Sequence, residues 1–143
     1  MHPLAGTWIA DVDRSRRDAN HQFQQATIRF EVTGTSVSLA YGGINAGGRQ
    51  EHGRQTLHAD GREHPLAEAP EVLAVATLEP RALRTAAFKG RNTIGRASYE
   101  VSEDGRTMTA VVSGIDAAGK TFDQIIAFNR DSGVTPSSVP QEN

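Results

Sequence analysis

The sequence predicts an all-β domain: a single closed antiparallel up-and-down β-barrel of about ten strands, with eight strands as the alternative. Two observations lead to this expectation. The 143-residue chain shows short strand-like runs separated by turns rich in glycine, aspartate and asparagine. No segment carries the apolar period of a helix. A chain made only of strands buries its apolar faces by closing one sheet or by stacking two sheets.

The strand-like runs cover most of the chain up to residue 130. The first run is 5–12, and a polar segment at 13–24 follows it with at most one short helical turn. Beyond residue 130 no core-forming pattern is present, so we expect one barrel domain over 1–130 and a flexible C-terminal tail over 131–143. The other predicted strands are 25–33, 36–43, 50–59, 62–66, 72–78, 82–88, 94–102, 106–114 and 121–130.

The turns predict which side chains share the inner face of the barrel. Asp104-Gly105 fits a type I′ hairpin, and Gly34-Thr35 fits a type II′ hairpin. Three-residue loops within 43–49 and 114–120, and a further type I′ hairpin at Asp60-Gly61, extend the same apolar face. That face comprises Ile28, Phe30, Val32, Val37, Leu39, Tyr41, Gln55, Leu57, His64, Ala97, Tyr99, Val101, Met108, Ala110, Val112, Phe122, Gln124, Ile126 and Phe128.

Two segments stay open at this point. The turn at Pro80-Arg81 does not determine which side chains of residues 72–88 point inward. The sequence also leaves open whether residues 13–24 form a lid over the barrel.

The inner face mixes apolar side chains with a few polar ones, a composition typical of a ligand pocket. Two interpretations of the polar groups stay open: they are satisfied within a filled core, or they contact a ligand. The histidine among them is either hydrogen-bonded to a neighbour at the barrel end or acts as a ligand contact or acid–base group. The candidate ligand-binding residues are Tyr41, Gln55, His64, Tyr99, Met108, Gln124, Ile126 and Phe128.

Composition argues against several functional classes. The net charge of −2 gives no electrostatic case for binding nucleic acid or an anionic membrane. The chain has no cysteine, and its five histidines are too far apart, or on opposite faces, to predict a metal site or a cofactor. No apolar run approaches the roughly 20 residues of a membrane span, and no signal peptide pattern is present, so we expect a cytoplasmic location.

Taken together and in order, several motifs resemble the calycin barrels, which include lipocalins and fatty-acid-binding proteins. Gly6-Thr7-Trp8 opens the first strand, consecutive hairpins follow, and the last strand ends in Ala127-Phe128-Asn129-Arg130. The chain is also similar to small bacterial lipocalin-like domains at 60–66 and 102–109. In lipocalins an arginine near the end of the last strand covers the early tryptophan, so the resemblance implies that Trp8 and Arg130 stack as structural residues.

The resemblance also bears on the ligand. Fatty-acid-binding proteins clamp a carboxylate with an Arg-x-Tyr pair on the last strand, and the matching positions here are Ile126 and Phe128. We therefore expect a small, largely apolar ligand without a carboxylate clamp. An alternative from another class is a cofactor-free barrel enzyme, a cyclase or isomerase of the kind found in natural-product biosynthesis, with unknown catalytic residues. A third reading is an interaction module with a filled barrel.

Overall fold

The computed structural model describes residues 2–16, 22–115 and 118–131. Over these residues the chain forms one antiparallel sheet of ten strands, in the order β4-β3-β2-β1-β10-β9-β8-β7-β6-β5. In the described part of the chain, no helix is long and apolar enough to cross a membrane. The strands are β1 (Gly6–Arg16), β2 (Phe23–Thr33), β3 (Ser36–Asn45), β4 (Gln50–His58), β5 (Asp60–Pro65), β6 (Val72–Glu79), β7 (Ala82–Lys89), β8 (Asn92–Val101), β9 (Thr107–Ile115) and β10 (Thr121–Arg130).

The sheet curls into a nearly closed barrel. β1 pairs with both β2 and β10, so that Trp8 lies opposite Ile28 on one side and Arg130 on the other. β4 and β5 are the two ends of the strand order; they lie side by side without a hydrogen-bonded ladder. The predicted ten-stranded all-β barrel is confirmed, with this one seam between β4 and β5.

The strand registers derived from four of the turns are confirmed. Gly34 has a positive φ of 60°, and the ladder beyond it pairs Phe30 with Leu39. The β8–β9 ladder pairs Tyr99 with Ala110. The β3–β4 and β9–β10 ladders have the registers expected from their glycine-containing loops. Because these four hairpins fix the alternation of side chains, they also fix most of the inner face.

The β8–β9 loop is wider than the two-residue turn expected there. The Ser102 amide donates to the Thr107 carbonyl at 2.9 Å, so four residues lie between these two. The Asp104 carboxylate accepts from the Ser102 hydroxyl at 2.6 Å and from the Arg106 amide at 3.0 Å. These hydrogen bonds lower the pKa of Asp104, and the bond from Ser102 makes the largest contribution. A two-residue and a four-residue loop give the same strand register, which explains why the pairing was still predicted correctly.

The hairpin predicted at Asp60-Gly61 is wrong. β4 ends at His58 and β5 begins at Asp60, so a single residue, Ala59, connects the two strands. The Ala59 amide donates to the Thr35 carbonyl at 2.7 Å, which ties this connection to the β2–β3 turn. The chain therefore starts β5 beside the end of β4 without pairing with it.

His64 changes place as a consequence. It pairs with Ala74 of β6 instead of facing β4 across a hairpin at Asp60-Gly61. Its ring centroid is 5.0 Å from that of His58, although the two rings were expected on opposite faces. An irregularity in the β5–β6 ladder between Asp60 and Glu63 breaks the strict alternation on which that expectation depended.

Of the two segments that the sequence left open, the structure describes residues 72–88 fully and residues 13–24 in part. Residues 13–16 belong to β1 and residues 23–24 to β2, so the polar segment is strand at both described ends, while 17–21 and the tail 132–143 lie outside the described residues. A two-residue turn at Pro80-Arg81 pairs Leu78 with Leu83. Leu83 is fully buried, which places this pair on the inner face of β6 and β7.

One end of the barrel is filled with large side chains. They come from the N-terminal segment and from the strand ends beside the β2–β3, β6–β7 and β8–β9 turns. Burying such side chains is the main source of stability in a barrel of this size. The largest fully buried side chains are Trp8, Phe30, Leu4, Leu83, Met108, Val37 and Val101.

Trp8 is at the centre of this filled end. Its ring is fully buried, and its Nε1–H donates to the Leu4 carbonyl at 2.9 Å. The Arg130 guanidinium carbon lies 4.1 Å from the ring centroid, within range of a cation–π interaction. This is the contact that the resemblance to lipocalins implied.

Arg130 also binds three backbone carbonyls. Its Nε donates to Gly105 at 2.7 Å and its Nη1 to Ala5 at 2.8 Å, while Nη2 donates to Pro3. These acceptors belong to the N-terminal segment and to the β8–β9 loop. One side chain on the last strand therefore joins three separate parts of the chain.

We expect Trp8→Ala to lower the free energy of unfolding by about 3–5 kcal/mol, because it leaves a cavity in the filled end. Arg130→Lys keeps a cation near the ring, but one ammonium cannot serve all three carbonyls, so it should cost about 1–3 kcal/mol. Arg29→Lys is the matched control: Arg29 is an exposed arginine of β2, and its loss should stay within about 0.5 kcal/mol. Urea unfolding of the three variants measures these differences; equal losses for Arg130→Lys and Arg29→Lys would contradict the structural role of Arg130.

Candidate functional site

The other end of the barrel is hollow. It contains a cavity of about 650 Å³, whose lining comes from β2, β3 and β4 on one side and from β8, β9 and β10 on the other. Ile28, Leu39, Val112 and Phe128 contribute to its apolar walls. A cavity of this volume is in the range that holds small organic ligands.

Most of the predicted ligand-binding residues meet in this cavity. They lie on four different strands, and the alternation along each strand turns them toward the same interior. The members of the predicted set that line the cavity are Tyr41, Gln55, Tyr99, Gln124, Ile126 and Phe128.

The structure places two predicted site residues elsewhere. Met108 is 1% exposed and packs in the filled end, because it lies further along the inner face than the cavity extends. The His64 ring does not line the cavity: its Nε2 is 2.9–3.0 Å from the two carboxylate oxygens of Asp60. Two hydrogen bonds lower the pKa of Asp60: the bond from the Arg62 backbone amide contributes most, and the bond with the His64 ring contributes next. Among the described residues, no group of three or more metal-binding side chains is arranged to hold an ion.

Gln124 is the buried polar side chain of the described core, at 9% exposure. It lies on β10 opposite Val112, and both residues line the cavity. Its carboxamide adds a polar group to walls that are otherwise apolar at this level of the barrel.

Tyr99 separates the cavity from the filled end. Its ring packs edge-on against Phe30, with the ring centroids 5.2 Å apart and the planes at 69°. Burial, with a smaller contribution from the neighbouring Tyr41, raises the pKa of Tyr99 to about 12. Within the described ranges no side chain or backbone group hydrogen-bonds its hydroxyl. A buried hydroxyl without a partner costs about 1–3 kcal/mol, so this group is available to a bound molecule.

A second cavity of about 230 Å³ adjoins the first. Gln55, Tyr99, Val112 and Phe122 line both cavities. These four side chains therefore stand between the two spaces, and the polar pair Gln55 and Tyr99 faces both of them.

Sequence reasoning missed the polar groups at the mouth of the cavity. The Asn45 amide donates to the Glu51 carboxylate at 2.8 Å, and the Asn45 oxygen accepts from the Gly47 and Arg49 amides. Glu51 is the one charged residue in the lining contributed by the described residues. Asn45, two residues before a glycine pair, signals a turn. Glu51 lies on the same face of β4 as Gln55 and Leu57, so the alternation of side chains along that strand was the signal that could have found it.

Strict alternation fails at the mouth. The β2–β3 ladder is irregular between Phe23 and Gln25, and the four consecutive residues 25–28 all contribute to the lining. On the facing strands the Tyr41 ring lies over Gly53, where a Cβ atom would come within 2.3 Å of it. Tyr41 itself is 47% exposed at this rim.

Two adjacent glycines of β3 should respond differently to alanine. A Cβ at Gly43 would lie 2.1 Å from the Gln25 backbone oxygen, whereas a Cβ at Gly42 meets its nearest atom at 3.6 Å. Gly43→Ala should therefore lower the free energy of unfolding by about 1–3 kcal/mol, and Gly42→Ala should be neutral or slightly stabilising. Urea unfolding checks this pair; equal effects would mean that β2 and β3 do not approach closely at Gly43.

The pKa of Tyr99 predicts a loss of stability at high pH. The unfolded phenol, with an ordinary pKa of 10, loses its proton before the native one does, so the native state binds more protons between pH 10 and 12. Stability from this group is complete below pH 10 and is lost as the pH rises through about 12. Between pH 10 and 12, the free energy of unfolding of wild type, measured with urea, should therefore fall by about 1–3 kcal/mol more than that of Tyr99→Phe. If the free energies of unfolding of wild type and Tyr99→Phe instead change in parallel with pH, the phenol is solvated in the native state.

No protein-family model matches the sequence, and no curated protein matches it. Solved structures do match. The chain is similar to a mutant of the fatty acid transporter REP1-NXSQ, at 16% identity and a TM-score of 0.54, over 90% of this chain and 98% of that chain. It is also similar to the wild-type fluorescent protein UnaG, at 11% identity and a TM-score of 0.58, over 90% and 97% of the two chains.

A third similar structure is the zebrafish ileal bile acid-binding protein in complex with cholic acid. Its identity is 8% and its TM-score 0.56, over 90% of this chain and 99% of that chain. At these identities the likeness concerns the path of the backbone. Together with the nearly closed antiparallel sheet, it shows that this chain has a calycin-type barrel fold.

Proposed function

We propose that this chain binds a small, neutral and largely apolar molecule in the hollow end of its barrel. The observation that carries this proposal is the cavity of about 650 Å³, whose described lining is mostly apolar and holds a single charged residue, Glu51. Apolar walls with a few polar side chains are the usual composition of small-molecule sites.

The charge of the lining argues for a neutral ligand. Ile126 and Phe128 face the cavity from β10 and offer no cation. Within the described part of the lining, no arginine, lysine or histidine is available to pair with a carboxylate, and Glu51 at the mouth repels one. Moving an unpaired carboxylate into such surroundings is costly.

The similar structures support ligand binding in the barrel interior. Among the similar structures are a fatty acid transporter and a bile acid-binding protein with cholic acid bound. Barrels with this backbone path therefore include proteins that bind small molecules. By contrast, among the described residues of the lining, the hydrogen bonds of Thr27 with Gly42 and of Asn45 with Glu51 do not form an acid–base pair, and no observation favours the cyclase or isomerase alternative.

We expect methyl laurate to displace the neutral fluorescent probe N-phenyl-1-naphthylamine at lower concentration than lauric acid does at neutral pH. Both competitors have the same chain, and only the acid brings a charge into a lining without a cation. Fluorescence competition with the purified full-length protein measures the two affinities.

Two arginine variants sharpen this test. Ile126→Arg places a cation in the cavity and should tighten laurate binding about 10–100-fold, the worth of a hydrogen bond to a charged group. Ile125→Arg is the matched control, because Ile125 is the next residue of β10 and does not line the cavity; it should leave laurate binding unchanged. A probe that does not bind wild type, or an identical response of the two variants, would overturn binding in this cavity.

A further inference from the structure

Two polar side chains at the boundary of the two cavities have hydrogen-bonding capacity left over. Tyr99 and Gln55 line both cavities. In the described ranges of the chain, neither side chain forms a hydrogen bond with protein. Both sit among apolar neighbours, where polar groups are normally paired.

Their positions are fixed by the sheet. The Tyr99 ring is held against Phe30, which is 1% exposed and packed in the filled end. Gln55 lies on β4, opposite Leu39 of β3, so it approaches the boundary from the wall facing β8. The two groups thus reach the same level of the barrel from strands far apart in the sheet order.

The chemistry of the two groups specifies a complementary partner. A phenol donates one hydrogen bond, and a carboxamide nitrogen donates two. A carbonyl oxygen has two lone pairs and accepts from two donors at once. A carboxylate would do the same, but the described lining of the larger cavity offers it no cation.

We infer that Tyr99 and Gln55 bind the carbonyl oxygen of a neutral ketone, ester or amide whose apolar body fills the larger cavity. This inference rests on the proposed function and adds the chemical class of the ligand.

Fluorene and fluorenone provide the test, because they share a ring skeleton and differ by one carbonyl oxygen. Each displaces N-phenyl-1-naphthylamine from wild type, Tyr99→Phe and Gln55→Leu in fluorescence competition. Tyr99→Phe should weaken fluorenone about three- to tenfold, the worth of a neutral hydrogen bond, without weakening fluorene. Gln55→Leu should act in the same direction.

Ser98→Ala is the matched control, because it removes a hydroxyl from the adjacent outward position of β8. It should change neither competitor. Tyr99→Phe should also unfold at the same temperature as wild type or higher, since it removes a hydroxyl that no described residue satisfies. This stability readout separates a ligand-directed hydroxyl from one that holds the fold together.

The outcomes are distinct. Equal fluorenone affinity in wild type, Tyr99→Phe and Gln55→Leu overturns the carbonyl site but leaves the cavity as a binding site. A lower unfolding temperature for Tyr99→Phe also overturns it, because the hydroxyl then serves the protein. Failure of wild type to bind the probe and both competitors overturns the proposed function, and this inference with it.

Discussion

The contact between Arg130 and Trp8 holds the filled end of the barrel together. β1 and β10, the first and last strands of the chain, are joined by a ladder in which Trp8 pairs with Arg130. Here the last residue of β10 covers the ring of Trp8 on β1, and its remaining donors bind carbonyls of the N-terminal segment and of the β8–β9 loop. Because a guanidinium offers a flat face and several donors at once, one side chain serves both purposes.

The packing around Trp8 and Arg130 lets the two ends of the barrel differ. The filled end carries the large buried side chains, and the stability they provide lets the opposite end remain hollow. The aromatic pair Phe30 and Tyr99 forms the boundary between the two. A barrel filled throughout would have no room for a ligand, and one hollow throughout would bury too little apolar surface to be stable. The polar groups concentrate on the hollow side, where a ligand can satisfy them.

Much of this arrangement was predictable because hairpin registers are set locally. Each correctly identified turn fixes the pairing of its two strands and hence the facing of every residue along them, which is why Tyr99, Gln124 and Ile126 were assigned to the interior. The position of His64 was predicted wrongly because a one-residue connection joins β4 to β5 and the two strands do not pair, so no hairpin register applies there. Glu51 was missed although the regular β3–β4 ladder puts it on the same face as Gln55. The volume of the cavity depends on packing across the barrel, which no local pattern encodes.

The seam between β4 and β5 leaves two strand edges whose backbone groups lack ladder partners in the sheet. Exposed edges of this kind are where one chain adds to the sheet of another and where aggregates begin. β5 has the features that oppose such addition: it is six residues long, it carries alternating charges from Asp60 to Glu63, and it ends at Pro65. A proline offers no amide hydrogen to an incoming strand, and an unpaired charge would have to be desolvated beside it. The same short, charged strand that leaves the barrel incompletely closed thus favours a chain that stays separate from its own copies at high concentration.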